Sequence, residues 1–402
     1  MESYLLDWAN LLLRWVHVIT AIAWVGCSLY FVFLDSSLTE PEDEKLRREG
    51  ATGELWAVHG GGFYHPVKYA VQPPQLPRHL HWFYWESYST WLSGIALFSV
   101  SYLWQAGTYL IDKSKMDWSQ GAAVAVALSF LAAFWLLYDL ICRVLGPRKH
   151  GEAWIGLGVL VLISAASWLA CQWFAGRAAF LLVGAMIATA MSANVFFWII
   201  PGQRKVVAAI KAGEPVDPIH GQRGKQRSVH NTYFTLPVLF AMLSNHYSFT
   251  WSHPHNWLVL ILMMLAGAAI RQFFVMRHGY KLGRNKHPLP YALLGIVILL
   301  ALIAWMRPAP VSSSPAPAAA GKPVSYAQVQ AVLSQRCVAC HGEQVQMKNV
   351  RLDSAQALSR HAQAVYQQVV VSRLMPMNNS TGISEEERAL IGRWFLDGAK
   401  TE

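Results

Sequence analysis

The chain has 402 residues, of which 54% are apolar and only 14% charged, against about 25% charged in an ordinary soluble domain. This excludes a disordered chain, and a mean hydropathy of +0.27 points to a membrane protein. The net charge of +10 is not a nucleic-acid signature: residues 324–402 hold 8 Lys/Arg and 7 Asp/Glu, so the excess sits among apolar runs, where basic loops are expected.

Apolar runs long enough to cross about 30 Å of hydrocarbon recur eight times. They lie near Leu11–Leu34, Trp85–Trp104, Gly121–Ile141, Trp154–Trp173, Ala178–Ile200, Thr232–Phe249, Trp257–Val275 and Leu289–Met306. Tryptophans cluster at the run ends, where an aromatic ring finds the half-wet interface it prefers. Nothing reads as amphipathic strands, which excludes a membrane β-barrel. The odd-numbered loops carry 18 Lys/Arg and the even-numbered loops 3. Positive residues stay inside, so both termini are expected outside. Met1–Asn10 has two acids and no base, so the first span reads as a retained anchor, not a cleaved signal.

The first span carries His17, six residues in, roughly 9 Å below its outer end. His246 lies three residues before the outer end of the sixth span, roughly 5 Å deep by the same rise. Two neutral imidazoles at similar depth could hold a b-type haem or another metal; packing at a helix interface is the alternative. The first long loop, on the inner side, holds His59, His65, His79 and His81, at spacings that match no metal site. It ends with Glu86 at the inner mouth of the second span. Asp139 lies near the inner end of the third span, and Asn194 and Asn245 are further polar residues within spans. Arg271 and Gln272 lie in the inner half of the seventh span, and His230 at the inner end of the sixth. Ionisable groups at such depth are costly and mark function by default, and these could converge on one inner-side pocket. For Arg271 the alternative is snorkelling to the headgroups. Cys27, Cys142 and Cys171 read as core packing.

After Met306 the composition changes. Arg307–Pro323 is rich in Pro, Ala and Ser and reads as a semi-extended tether. Residues 324–402 then read as a small domain built on Cys337-Val338-Ala339-Cys340-His341. In C-x-x-C-H two thiols form thioethers to the haem vinyls and the histidine ligates iron. A helix over Tyr326–Arg336 leads into the motif. Met375, followed by Pro376, is the favoured sixth ligand, with Met377 also in reach and Met347 too near His341. Ser384 is the expected N-cap of a last helix, Ser384–Gly398, with Glu387 in capping-box position. These features resemble a small class I cytochrome c over about 80 residues. C-type haem is attached outside the cytoplasmic membrane, in agreement with the loop charges. The expected fold is therefore all-α: a polytopic bundle of about eight spans (1–306), a linker (307–323) and a cytochrome c domain (324–402).

Four strings, WVHVITAIAWVG (Trp15–Gly26), ELWAVHGGGFY (Glu54–Tyr64), LHWFYWESYSTWLSG (Leu80–Gly94) and RSVHNTYFTLPVLFAMLSNHY (Arg227–Tyr247), followed by the tethered cytochrome, resemble the bacterial membrane-bound urate oxidases (urate hydroxylases). The resemblance implies oxidation of urate to 5-hydroxyisourate, with electrons passing through the chain's own haem c to a downstream cytochrome c or oxidase and no hydrogen peroxide formed. It implies an inner-membrane protein whose partners are urate, lipid and the respiratory chain. It transfers no catalytic residue. On the residues alone, Arg271 and Gln272 could grip the urate anion, aromatic rings of Trp82, Tyr84, Trp85 or Tyr88 could stack on it, and Glu86 or His230 could take a proton. Two other classes fit the same sequence: a quinol:cytochrome c electron-transfer protein, and a transporter or assembly protein with a fused cytochrome.

Overall fold

The computed structural model describes residues 2–307 and 324–401; the tether expected at 307–323 lies outside them, Arg307 excepted. Helix α1 (Glu2–Ser37) starts nine residues before the predicted span and runs unbroken. Next come α2 (Glu44–Arg48) and four short strands, β1 (Ala51–Glu54), β2 (Ala57–His59), β3 (Gly62–Tyr64) and β4 (Val67–Tyr69). The strands form two nested antiparallel pairs, β1 with β4 and β2 with β3. The first long loop thus has a fold of its own, which its lack of regular alternation had hidden. Gly60 and Gly61, at positive φ, make its tip, a turn that glycine adopts without steric cost.

The bundle continues with α3 (Trp85–Phe98), extended by a π turn over Ser99–Leu103, then α4 (Ala106–Tyr109), α5 (Gln120–Leu145), α6 (Gly151–Trp173) and α7 (Gly176–Asn194). A second π turn, Val195–Ile199, joins α7 to α8 (Ile200–Ala212). Pro201 stands at the start of α8. It has no N–H to give and its ring crowds the carbonyl four residues back, and the widened turn just before it relieves that conflict. Helix α9 (Pro218–Leu243) opens with the Asp217 side chain accepting from the Ile219 N–H and with proline in its first turn, a helix start that fixes φ where no donor is needed. It begins 14 residues before the predicted sixth span. It also ends earlier, at the 3-10 turn Ser244–His246, followed by α10 (Ser248–Trp251), α11 (Asn256–Lys281) and α12 (Leu289–Trp305).

Among the described residues, five helical stretches are long and apolar enough to cross a membrane: Tyr4–Ser37, Gln120–Leu145, Gly151–Trp173, Gly176–Ala212 and Asn256–Lys281. The other three predicted spans are also helical but shorter or more polar. Helices α1, α3, α7, α9 and α11 form a closed circuit of neighbours, with α5 and α6 packed outside α7 and α12 against α11. Small residues set the spacing: a Cβ on Gly184 of α7 would come within 2.8 Å of Ala241 on α9, close helix approach of the kind apolar bundles use.

The C-terminal unit has a separate core. Helix α13 (Tyr326–Arg336), α14 (Ala355–Val365) with its π extension Tyr366–Val371, and α15 (Glu385–Leu396) bury Val329, Leu333, Leu358, Ile391 and Trp394 together with Cys337. The expected cap is present: the Glu387 N–H donates to Ser384 Oγ at 3.2 Å and the Ser384 N–H to the Glu387 carboxylate at 2.8 Å. Arg336 bridges α13 to α15 by a fork onto Glu387, 3.0–3.2 Å. The turn Met377–Asn379 of this unit lies against α4 of the bundle.

Candidate functional site

Polar side chains inside the bundle collect in one layer, and interhelical hydrogen bonds fix it. Ser87 Oγ on α3 meets Ser192 Oγ on α7 at 2.9 Å. Asn194 Nδ2 on α7 donates to Asn231 Oδ1 on α9 at 2.9 Å. The Tyr138 hydroxyl on α5 lies 2.8 Å from His230 Nδ1 on α9. The Tyr233 hydroxyl on α9 donates to Gln272 Oε1 on α11. Glu86, His230, Arg271 and Gln272 each belong to this layer or adjoin a member of it in sequence. The four candidates thus come to a similar height on α3, α9 and α11.

Arg271 is buried, at 7% exposure, and its Nε and Nη2 have no hydrogen-bond partner among the described residues. A buried charge without partners is strongly disfavoured, so this guanidinium is set up for an anion. Its depth follows from α1 and α11, which run the same way: Phe33 packs edge-on against His278, ring centroids 5.0 Å apart, and six residues further on Arg284 Nη2 donates to the Leu38 carbonyl at 2.7 Å. Two turns back from Phe33 and His278, Gly26 and Cys27 stand level with Arg271. Glu86 acts electrostatically on Cys27, and its Oε2 is likewise buried without a partner. An unpaired carboxylate and an unpaired guanidinium thus lie at the same height of the bundle. Gln272 is held between the Tyr233 hydroxyl and the Met276 sulfur, its Nε2 at 3.0 Å from the latter.

His230 has a different setting. Both its ring nitrogens are engaged: Nδ1 with Tyr138, and Nε2 with Glu152 Oε2 at 3.3 Å. Beside it, Arg227 is almost wholly buried and bonds Asp139 Oδ1 at 2.6 Å. Asp139 also receives Arg143 at 2.6 Å and the Trp198 indole N–H at 2.8 Å. Arg227, one of the 18 basic residues that the sequence assigns to the odd-numbered loops, lies inside α9. Sequence reading also missed Tyr138, Tyr233 and Glu152. The available signal was the spacing Arg227, His230, Asn231, which places three polar groups on one helical face.

The two histidines proposed for an intramembrane haem are not brought together. His17 Nδ1 meets the Thr90 carbonyl at 3.1 Å and Ser93 Oγ at 3.2 Å, in the middle of α3. His246 is exposed in the turn after α9, where its neighbour Asn245 accepts from the Tyr102 hydroxyl at 2.7 Å. Tyr102 is nine residues beyond Ser93, about 13 Å along the helix. Two imidazoles on one metal sit within about 4 Å, twice a metal–nitrogen bond. Among the described residues no group of three or more His, Cys, Asp or Glu is arranged to hold a metal ion. Of the loop histidines, His65 is tied down, its Nε2 2.6 Å from Glu54 Oε2 and its ring stacked on Trp56 at 4.1 Å.

In the C-terminal unit, the residues fit the group their motif implies. Cys337 is buried and Cys340 half-buried at the end of α13, and burial pushes the Cys337 thiol up to about 11. His341 Nδ1 donates to the Val350 carbonyl at 3.2 Å, which leaves the Nε2 lone pair free to ligate. Met375 packs against the same core, and its carbonyl receives Arg388 Nη1 at 2.9 Å. Met377 begins the short turn, Met377–Asn379, that lies against α4.

The architecture is that of an α-helical protein with a polar layer inside an apolar bundle, compatible with a membrane protein. Residues 3–307 match the urate oxidase N-terminal family model, and the chain belongs to that family. No curated protein and no solved structure matches the chain.

Proposed function

We propose that the chain is a membrane-bound urate oxidase that converts urate to 5-hydroxyisourate and delivers the electrons to its own c-type cytochrome. The balance is urate plus water giving 5-hydroxyisourate, two protons and two electrons, so no peroxide forms. The observation that carries the reading is the buried Arg271 with two unpaired nitrogens, inside the region that matches the urate oxidase family. Urate is a planar anion, and a guanidinium fork suits it. Glu86, with its free Oε2, is the better placed of the two candidate proton acceptors, because both nitrogens of His230 are already engaged. Gln272 is oriented by Tyr233 next to the arginine.

Cys337 and Cys340 would hold the haem covalently, and His341 and Met375 would ligate its iron. Bound there, it supplies a one-electron carrier. The sequence charge pattern puts the N-terminus and this domain on the periplasmic side of the inner membrane, with a cytochrome c or oxidase as the next acceptor. The test is the visible spectrum of the purified, fully oxidised protein under anaerobic conditions. Urate should bring up the reduced c-type bands, and a quinol alone should not. Reduction by quinol and not by urate would replace this reading with a quinol:cytochrome c one.

A further inference from the structure

We infer that Tyr138, His230 and Glu152 form a proton exit from the polar layer to the surface at the start of α6. The inference rests on the urate reading, which requires two protons to leave for every substrate oxidised.

The geometry is directional. Asn194 Nδ2 donates to the Tyr138 oxygen at 3.0 Å and, to the other side, to Asn231 at 2.9 Å. The phenol oxygen is thereby an acceptor from Asn194, so its own O–H points to His230 Nδ1 at 2.8 Å. His230 Nε2–H then faces the Glu152 carboxylate at 3.3 Å. Tyr138 is fully buried, whereas the Glu152 side chain is 66% exposed. Gln226 Nε2 holds the other Glu152 oxygen at 2.6 Å, which fixes an otherwise mobile surface carboxylate. The string therefore runs from the buried layer to solvent in three groups, each able to accept and release a proton. Arg227 lies 5.0 Å over the Tyr138 ring, a cation placed to favour the phenol oxygen while its proton is shared.

One transfer goes as follows. The Tyr138 hydroxyl proton passes to His230 Nδ1 as the Tyr138 oxygen takes one of the two protons that urate oxidation releases. The imidazolium gives its Nε2 proton to Glu152, which releases it to water. The imidazole, left with its proton on Nδ1, returns to the starting tautomer by proton exchange with water at its 12% exposed edge. No electron moves in these steps. The three are proton-transfer groups away from the substrate, so their loss should slow turnover and leave binding alone.

The experiment uses the full-length, haem-loaded protein with ferricyanide, an acceptor that takes no proton. Glu152→Gln, His230→Gly and Tyr138→Phe are compared with wild type for turnover, KM for urate and solvent deuterium isotope effect. The expected result is a tenfold or greater loss of turnover in each, an unchanged KM, a larger isotope effect, and recovery of His230→Gly by added imidazole. A purely structural role would give neither the isotope effect nor the rescue. Glu152→Gln, a conservative surface change, keeps the test independent of folding at the two buried positions. Wild-type turnover in Glu152→Gln and Tyr138→Phe would overturn the exit alone. Failure of the wild-type protein to oxidise urate at all would overturn the urate reading and the exit with it.

Discussion

Asp139 and Arg227 form a 2.6 Å ion pair with both side chains less than a tenth exposed. The pair ties α5 to α9, and it is anchored further by Arg143 and Trp198 on the same carboxylate. Removing one member leaves the other charge buried and alone, which typically costs about 3–5 kcal/mol. Arg227→Ala or Asp139→Ala should therefore lower the thermal unfolding midpoint in detergent markedly. The double replacement Asp139→Leu with Arg227→Met should be milder than either single change. Equal melting of all forms would mean that the pair contributes nothing.

Arg271→Ala should leave the c-type chromophore present and chemically reducible, yet weaken its reduction by urate. Loss of a buried charge-assisted contact costs about 2–5 kcal/mol, and each 1.4 kcal/mol is about tenfold in affinity. The urate concentration for half-reduction should rise by tenfold or more. An unshifted concentration dependence would take Arg271 out of the substrate site and favour a side chain that merely reaches toward the headgroups.

In the C-terminal unit, replacing both Cys337 and Cys340 by alanine should abolish haem that survives a denaturing gel. Met375→Ala should remove the sulfur–iron absorption near the red end of the spectrum, and Met377→Ala should not. The reverse outcome would move the sixth ligand to the residue that starts the turn on α4.

The nested hairpins should loosen in acid. The Glu54 carboxyl is held below its ordinary range by the Glu42 N–H at 2.6 Å and by His65. A depressed carboxylate contributes stability above its unfolded pKa of about 4.3, and that contribution is lost as pH falls through the lower folded value. Amide exchange over Ala51–Tyr69 should accelerate below about pH 4. Glu54→Gln should be faster at neutral pH and lose most of this pH dependence. A flat profile in the wild type would show that the contact is not stabilising.

Reporters test the orientation. A fusion after Gly321 should work only as a periplasmic reporter, whereas one inserted at Gly213, an exposed left-handed turn after α8, should report cytoplasm. A cytoplasmic signal from the first would sink both the count of eight spans and the external cytochrome.

The apolar runs and the C-x-x-C-H motif were legible because each is a local signal. So were the Tyr326–Arg336 helix and the Ser384–Glu387 cap, which need only three or four neighbouring residues. Arg227 was not: the first half of α9 is polar enough to read as loop, and only its partner Asp139, 88 residues away, makes it a buried group. Tyr138 and Glu152 were hidden for the same reason. A tyrosine within an apolar run and a glutamate at a helix start are ordinary until His230 joins them. The first histidine pair failed in the opposite direction. Depth counted from the ends of apolar runs placed His17 near the surface, but α1 begins nine residues earlier and its histidine faces the middle of α3.

In the proposed reading the polar layer takes the substrate and lies in the cytoplasmic half of the bundle, while the C-terminal unit rests on α4 at the other end. With that unit in the periplasm, electrons would move outward and protons would be left inside. Oxidation would then be electrogenic. An inside-negative membrane potential would pull the reaction forward, by about 2.3 kcal/mol per 100 mV for each charge crossing the full bilayer. The cell would spend part of its stored potential to drive purine breakdown, and the rate of urate loss would track how well energised its membrane is.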